Sequence, residues 1–175
     1  MGELVEPCEV GETLSQSYFV ENFDFSFSTK EEFFGLAVVV TPICDFAQKK
    51  ADYVTFCAVL PINPWLDEQK SNARESKLDT MMKGNMYRYH WIGKLPGQSD
   101  FFFIDYQLSV SLRKSVADAI IPFAKATRPL SESIVVGFGR SFTRVGLPFD
   151  DQAFGAMKKA VMDQYNPPVN GPVTQ

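Results

Sequence analysis

The amino-acid sequence predicts an α+β fold: a small, strongly curved antiparallel sheet or barrel with C-terminal helices. The chain has 175 residues, of which 45% are hydrophobic and 22% are charged, and this suits a single domain with a substantial core. Strand-like segments come first, and a helical period takes over from Ser131. Strands followed by helices, without regular alternation of the two, are typical of α+β proteins.

The strongest strand pair lies within residues 35–61. Residues 36–43 and 53–60 are rich in β-branched side chains and are apolar on both faces, as central strands are. Pro42 predicts that pairing of the first strand is interrupted near its end, because proline has no N–H to donate. We therefore expect these two segments at the centre of the sheet.

Weaker patterns predict further strands on both sides of this pair. They cover residues 17–27, 86–92, 101–112 and 119–124, and the first shows the alternation of a half-buried strand. Residues 1–15 are expected to be irregular. Residues 66–82 are charged with few apolar positions, which favours a mobile surface helix or an insertion.

Two helices are predicted to complete the domain. The apolar residues of 134–145 recur at helical spacing behind Ser131, a favourable N-cap. A second amphipathic pattern predicts a last helix that runs to Tyr165. Residues 166–175 contain three prolines and one glycine and are expected to be a disordered tail. The single domain would then span residues 1–165.

Charge and composition disfavour several classes of protein. The net charge is −4, which argues against nucleic acid as a partner, because non-specific binding needs a dense cationic surface. Residues 1–10 lack the pattern of a signal peptide, and no apolar run is long enough to cross a bilayer. Three cysteines without framework spacing suit a reducing compartment. We expect a cytoplasmic protein without a membrane partner.

Cys44, Asp45 and His90 are the candidate catalytic residues. Cys44 would be the nucleophile, with His90, the one histidine of the chain, as its base. Asp45 argues against this reading, because a neighbouring negative charge raises the pKa of a thiol. In the alternative, which we favour, Cys44 is a small apolar filler and Asp45 caps the loop.

A zinc site is a further hypothesis for the same loop. Cys44, Asp45, His90 and Cys57 are ligand types that zinc uses, but no pair of them has a metal-ligand spacing. A hairpin symmetrical about residues 48–49 would place Cys57 near Val40, several residues from Cys44. Neither a metal nor another cofactor is therefore predicted.

Four basic residues are candidate ligand-binding groups: Lys49, Arg88, Arg140 and Arg144. They could converge on a phosphate or a carboxylate. Arg144 falls in the last turn of its predicted helix, where a cation also favours the helix dipole. A structural clamp between Arg144 and Asp45 or Asp105 is the alternative that we favour.

Residues 87–91 alternate aromatic and basic side chains. On a strand, Tyr87, Tyr89 and Trp91 would share one face, and Arg88 and His90 the other. An exposed aromatic face could stack the bases of single-stranded nucleic acid. More often such a face is buried in a core.

Three segments carry a resemblance to a group of known proteins. TPICDFAQKKADYV, RYHWI with FFFIDYQLSVSL, and SESIVVGFGRSFTRVGLP resemble a loosely described family of short, uncharacterised bacterial proteins. The shared features are a strand ending in Cys44-Asp45, a lysine a few residues later (Lys49 or Lys50), and a helix ending in Arg144 to Pro148. The resemblance covers roughly residues 35–150. It implies a gene of bacterial mobile elements or defence. The strand-turn-strand core is also similar to the SH3-like barrel of toxin endoribonucleases, which implies that barrel but assigns no catalytic residue.

These features favour a non-catalytic cytoplasmic interaction or sensing module, whose partner is another protein. Such a module could be an accessory to a bacterial defence or toxin–antitoxin system. Two alternatives stay open. One is a hydrolase or nuclease that uses Cys44, Asp45 and His90, and the other is a single-stranded nucleic-acid binder.

Overall fold

Seven antiparallel strands form one sheet that curves into a nearly closed barrel, accompanied by a few helices. The predicted α+β class is confirmed. The computed structural model describes residues 4–26, 34–42, 45, 52–143 and 151–165. The strands are β1 (Val5–Pro7), β2 (Tyr18–Asp24), β3 (Phe34–Val39), β4 (Tyr53–Pro61), β5 (Tyr89–Lys94), β6 (Phe101–Arg113) and β7 (Ala124–Ala126).

The helices of the described ranges follow the strands of the sheet or connect them. They are α1 (Ile62–Asp67), α2 (Arg74–Met82), α3 (Lys114–Ala117), α4 (Arg128–Thr143) and α5 (Asp151–Gln164), with a 3₁₀ turn at Ser71–Ala73. In the sheet the strand order is β1-β7-β2-β3-β4-β6-β5. None of these helices is long and apolar enough to span a membrane.

One hydrophobic core receives a side chain from every strand and is therefore the interior of the barrel. Its strand residues include Val5, Phe19, Val38, Cys57, Ile92, Ile104 and Ala124. Leu130 and Ile134 of α4 join the same core, so this helix covers an opening of the barrel. Ala37 and Phe56 belong to a second core, which explains why β3 and β4 are apolar on both faces.

The pairing of β6 with β4 breaks at one place, and this break shapes the candidate site. Cys57 lies opposite Ser109, but the next residue, Ala58, lies opposite Asp105. Residues 106–108 of β6 therefore bulge out of the ladder. A bulge of this kind redirects side chains and often stands beside a ligand site.

Several sequence-based boundaries were wrong. Residues 1–15 contain β1, which pairs with β7, and tertiary pairing of so short a strand leaves no periodic signal. Residues 66–82 are not a loosely attached insertion, because Leu66, Leu78 and Met81 are fully buried in a third core. Cys57 lies opposite Val38, two residues from the predicted partner, since the hairpin is not symmetrical about residues 48–49.

Candidate functional site

An open cleft lies between the bulge of β6, the residues just before β5 (86–88) and the end of α4. Its volume is about 650 Å³, within the range of ligand pockets. Three tyrosines, one arginine and neutral side chains line it. The lining residues are Met86, Tyr87, Arg88, Tyr89, Tyr106, Gln107, Ser109 and Ser141. We call this cavity the aromatic cleft.

Arg88 is held in the wall of the cleft by a two-pronged ion pair. Its Nε lies 2.9 and 3.0 Å from the two carboxylate oxygens of Asp105, and its Nη2 lies 2.6 Å from Oδ2. The Asp105 side chain is 2% exposed and that of Arg88 is 44% exposed. The hydrogen bonds to Asp105 raise the pKa of Arg88. A bidentate pair fixes the guanidinium plane, so the arginine faces solvent in a defined orientation.

A second hollow of about 370 Å³ continues the groove, and Arg88 and Tyr89 line both cavities. The Tyr89 ring stands edge-on to Trp65 and Phe103, at centroid distances of 5.8 and 5.3 Å. The Arg88 guanidinium lies over the same ring, 4.9 Å from its centroid. Glu68 adds an acidic side chain to the hollow. Tyr89 is thus a well-supported aromatic ring in the middle of a longer groove.

His90 points to α4. Its Nε2 lies 3.1 Å from Ser133 Oγ, and the Ser133 hydroxyl donates to the carbonyl oxygen of Leu130 at 3.0 Å. When the Ser133 proton is directed to Leu130, Nε2 carries the imidazole proton and donates it to Ser133. Burial, and secondarily the charge of Arg140, lowers the pKa of His90 to about 4. The ring is therefore neutral at pH 7.

The α4 helix approaches the floor of the cleft at a glycine. A Cβ on Gly137 would stand 2.9 Å from His90 Nδ1 and even closer to Tyr106 Oη. The Tyr106 hydroxyl donates to the carbonyl oxygen of Ile134 at 2.8 Å, and burial raises its pKa well above the usual value. The floor of the cleft at Tyr106, and His90 in the smaller hollow behind it, are therefore neutral groups that are hydrogen-bonded to α4.

Arg140 lies beneath this floor. It is 8% exposed, and together with His90, Tyr106 and Gly137 it lines a small hollow of about 10 Å³, about the space of one water. Its Nη2 is 3.5 Å from the carbonyl oxygen of Gly84. The structure thus places two of the four predicted basic residues in one region, Arg88 in the wall of the cleft and Arg140 below it.

Cys44, Lys49 and Arg144 lie outside the described residues, so the roles predicted for them stay predictions. The backbone N–H of Asp45 donates to the carbonyl oxygen of Pro42 at 3.0 Å. The predicted cap of the loop by the Asp45 side chain also stays a prediction. Asp105, the other carboxylate proposed as a partner of Arg144, pairs with Arg88.

The predicted division of faces in residues 87–91 was wrong for Arg88. Regular pairing of β5 begins at Tyr89, which lies opposite Asp105, and Arg88 bends towards this pair instead of following His90. Trp91 is 5% exposed, and its Nε1 donates to the sulfur of Met157 at 2.9 Å. Trp91 therefore belongs to a hydrophobic core. Tyr87, in contrast, is 42% exposed and is accessible to a ligand.

Cys57 faces the barrel interior, where burial and then the charge of Asp105 raise the pKa of its thiol far above the usual value. A thiol that stays protonated is a poor nucleophile and a poor metal ligand. Among the residues that the structure describes, no three His, Cys, Asp or Glu side chains form a group that could hold a metal ion.

Tyr106, Gly137 and Ser133 are residues of the site that the sequence does not predict. One signal was present: Asp105 interrupts the apolar run FFFIDY, and a carboxylate in such a run indicates a buried ion pair. Gly137 by itself indicates only a position where the predicted helix is weaker, because glycine has a low helix propensity. Ser133 carries no signal, because its role depends on how α4 packs against β5.

Comparisons of the chain with protein-family models, with curated proteins and with solved structures find no match. The class of this protein therefore rests on its own fold and site. It is an α+β protein with a barrel-like antiparallel sheet and an open aromatic cleft beside α4. The resemblance to the bacterial Cys-Asp family stays a prediction.

Proposed function

We propose that this protein is a non-catalytic interaction module that binds a segment of another protein in the aromatic cleft. The observation that carries the proposal is the accessible pair Tyr87 and Arg88 beside the well-supported ring of Tyr89. Tyrosine, tryptophan and arginine dominate the energetics of protein interfaces. The Asp105 ion pair orients Arg88 before any partner arrives, which reduces the entropy lost on binding.

The charges around the groove favour a protein ligand over single-stranded nucleic acid. Arg88 is compensated by Asp105, and Glu68 adds an acidic side chain in the adjoining hollow. Binding to phosphates needs cations that are free to replace counterions, and the whole chain carries a net charge of −4. The burial of Trp91 also removes one of the three rings predicted to stack bases.

The environment of His90 supports a role without catalysis. A general base works best when its pKa lies near the working pH, whereas the pKa of His90 is lowered to about 4. Its Nε2 is committed to Ser133, and its Nδ1 faces Gly137. The hydrolase hypothesis, which needs Cys44 beside this ring, stays a prediction.

A cytoplasmic location and an accessory role in bacterial defence or a toxin–antitoxin system are further parts of the proposal. The location is supported by cysteine usage, since Cys8 and Cys57 are both free thiols and free thiols suit a reducing compartment. The role in defence is supported by the sequence resemblance.

Selection of peptides on the full-length protein tests the proposed binding. A phage-displayed library of random 12-residue peptides provides the ligands, and fluorescence anisotropy measures their Kd. Tyr87→Ala should weaken binding of the selected peptides about tenfold or more, the size expected for an interface hot spot. Tyr53→Ala is the matched control, because Tyr53 is also exposed, at 53%, but does not line the groove.

Two outcomes would contradict the proposal. One is a selection that yields no peptide with binding sensitive to Tyr87→Ala. The other is tighter, salt-dependent binding of a 12-nucleotide oligo(dT) that Tyr87→Ala abolishes, which would favour the nucleic-acid alternative.

A further inference from the structure

The barrel is open between β1 and β5, the two strands at the ends of the sheet order. In the described ranges, each pairs with a strand on one side only, β1 with β7 and β5 with β6. The other edge of each strand carries backbone groups that an added strand can bind, although Pro7 of β1 offers only its C=O because proline has no N–H. We call the gap between these edges the seam.

The seam is a hollow with an apolar floor. Its volume is about 370 Å³, and it is lined by Leu4 and Val5 on the β1 side, by residues 92–95 on the β5 side and by Met157 of α5. Val5 and Ile92 are 2% and 1% exposed and belong to the barrel core. An apolar side chain placed in the seam would therefore contact the barrel interior.

Strand direction decides what can close the seam. All six neighbouring strand pairs are antiparallel, so β1 and β5 run in the same direction. They cannot pair with each other in the antiparallel arrangement of the other strands. One additional strand that runs the opposite way is antiparallel to both, and its hydrogen bonds can point to both edges at once.

Lys94 determines the charge of the seam, since it is the one charged residue among the lining residues. It ends β5, and its Nζ lies 4.9 Å from the centroid of the Phe101 ring. An acidic side chain on an incoming strand would meet this ammonium group at the edge of a hollow, where complementary charge favours one register over others.

We propose that the seam accepts an extended segment of another protein as an eighth strand, antiparallel to both β1 and β5. Apolar residues at alternate positions of that segment point into the barrel, and an acidic residue lies beside Lys94. The seam is a separate site from the aromatic cleft, because the two cavities share no lining residue.

To test the proposal, a strand is attached covalently to the full chain. A free peptide of low affinity would leave most seams empty, whereas an attached strand is present at a high effective concentration. The α5 helix ends beside the seam, where Gln164 Nε2 donates to the carbonyl oxygen of Ser99 at 3.0 Å. The strand Thr-Val-Thr-Val-Asp-Val-Thr is added after Gln175 through a Gly/Ser linker of about ten residues, which gives an effective concentration of roughly millimolar.

Hydrogen–deuterium exchange, followed by NMR, reports on the backbone amides of β5 and on those of Val5 and Glu6 in β1, since Pro7 has none. We expect these amides to exchange about tenfold more slowly when this strand is attached. This factor corresponds to a dissociation constant of the strand from the seam that is about a tenth of the effective concentration. The matched control is a tether in which proline replaces the threonines, because proline cannot donate to the ladder. Equal exchange rates with the two tethers would overturn the proposal.

A charge exchange tests the register. Lys94→Glu should remove most of the protection given by the acidic strand, and a strand with lysine in place of aspartate should restore it. Lys70→Glu, at an exposed lysine that does not line the seam, should change nothing. Slow exchange at both edges of the untethered protein would also overturn the proposal, because this chain or a second copy would then already fill the seam. Sedimentation distinguishes those two cases.

Discussion

Replacing His90 with glutamine tests whether this ring is a structural, neutral group. Glutamine can donate its amide N–H to Ser133 much as the imidazole Nε2 does, but it does not titrate. In the folded protein the pKa of His90 is lowered to about 4, first by burial and then by the charge of Arg140. In the unfolded chain it returns to about 6.5. The two states therefore bind this proton over different pH ranges.

The sign of the effect follows from that order of pKa values. As the pH falls below about 6.5, the unfolded chain binds a proton on His90 while the folded protein does not, so acid favours unfolding. The folded state loses about 2 kcal/mol between pH 7 and pH 5, and about 3 kcal/mol once the pH is below 4. The His90→Gln variant lacks this contribution at every pH.

Urea denaturation at pH 7, 6 and 5, at constant ionic strength, measures the difference. Fluorescence of Trp65 and Trp91, both in the third core, reports unfolding. The wild-type free energy of unfolding should fall by about 2 kcal/mol more than that of His90→Gln between pH 7 and pH 5. The other titrating groups, including Glu12 and Asp79, are present in both proteins and cancel.

Equal slopes of stability against pH for the two proteins would refute this reasoning. The pKa of His90 would then lie near its unfolded value, and the ring would be accessible to protons at neutral pH. In that case the hypothesis that His90 acts as a general base would become the stronger one.

Two further predictions concern the walls of the cleft. Gly137→Ala should destabilise the protein by about 1–3 kcal/mol through overpacking against Tyr106, whereas Gly139→Ala, where a Cβ meets open space, should stabilise it by up to about 1 kcal/mol. Thermal unfolding compares the pair, and equal shifts in Tm would contradict the close approach of α4. Arg88→Ala should cost about 2–3 kcal/mol, because it leaves the Asp105 carboxylate buried without its cation. Adding Asp105→Leu should recover part of that loss in urea denaturation, and a double variant no more stable than Arg88→Ala would argue against a buried-charge penalty.

Local patterns in the sequence were sufficient for the centre of the sheet. Residues 36–39 and 53–60 are apolar on both faces because they separate two cores. The observed β4 (Tyr53–Pro61) matches its predicted range, whereas β3 (Phe34–Val39) begins two residues earlier than predicted and coincides with the prediction only over residues 36–39. The break in β6 was not predictable in the same way. It depends on a shift of pairing between Cys57 and Ala58, and hydrophobic periodicity reports which face a residue occupies but not which residue lies opposite.

The candidate site shows the same division at the level of single residues. Arg88 and His90 could be predicted as candidate site residues from the sequence. His90 is the one histidine of the chain, and both residues are basic side chains between aromatic residues of a predicted strand. That Arg88 turns to Asp105, while His90 turns to Ser133, required the packing of α4 and β6 against β5. Both contacts join residues that are far apart in the chain. Hydrophobic periodicity therefore does not predict that Asp105 pairs with Arg88 or that Ser133 pairs with His90.

The sequence by itself determined the class of fold, since the periods of strands and helices are properties of neighbouring residues. It also determined the acidic net charge and the aromatic content of the chain. The tertiary structure alone decided that Trp91 is buried and Tyr87 exposed, that Gly137 lets α4 reach the cleft floor, and that β1 and β5 leave a seam. Each of these depends on the distance between residues far apart in the chain, and such distances are fixed only when the elements pack together.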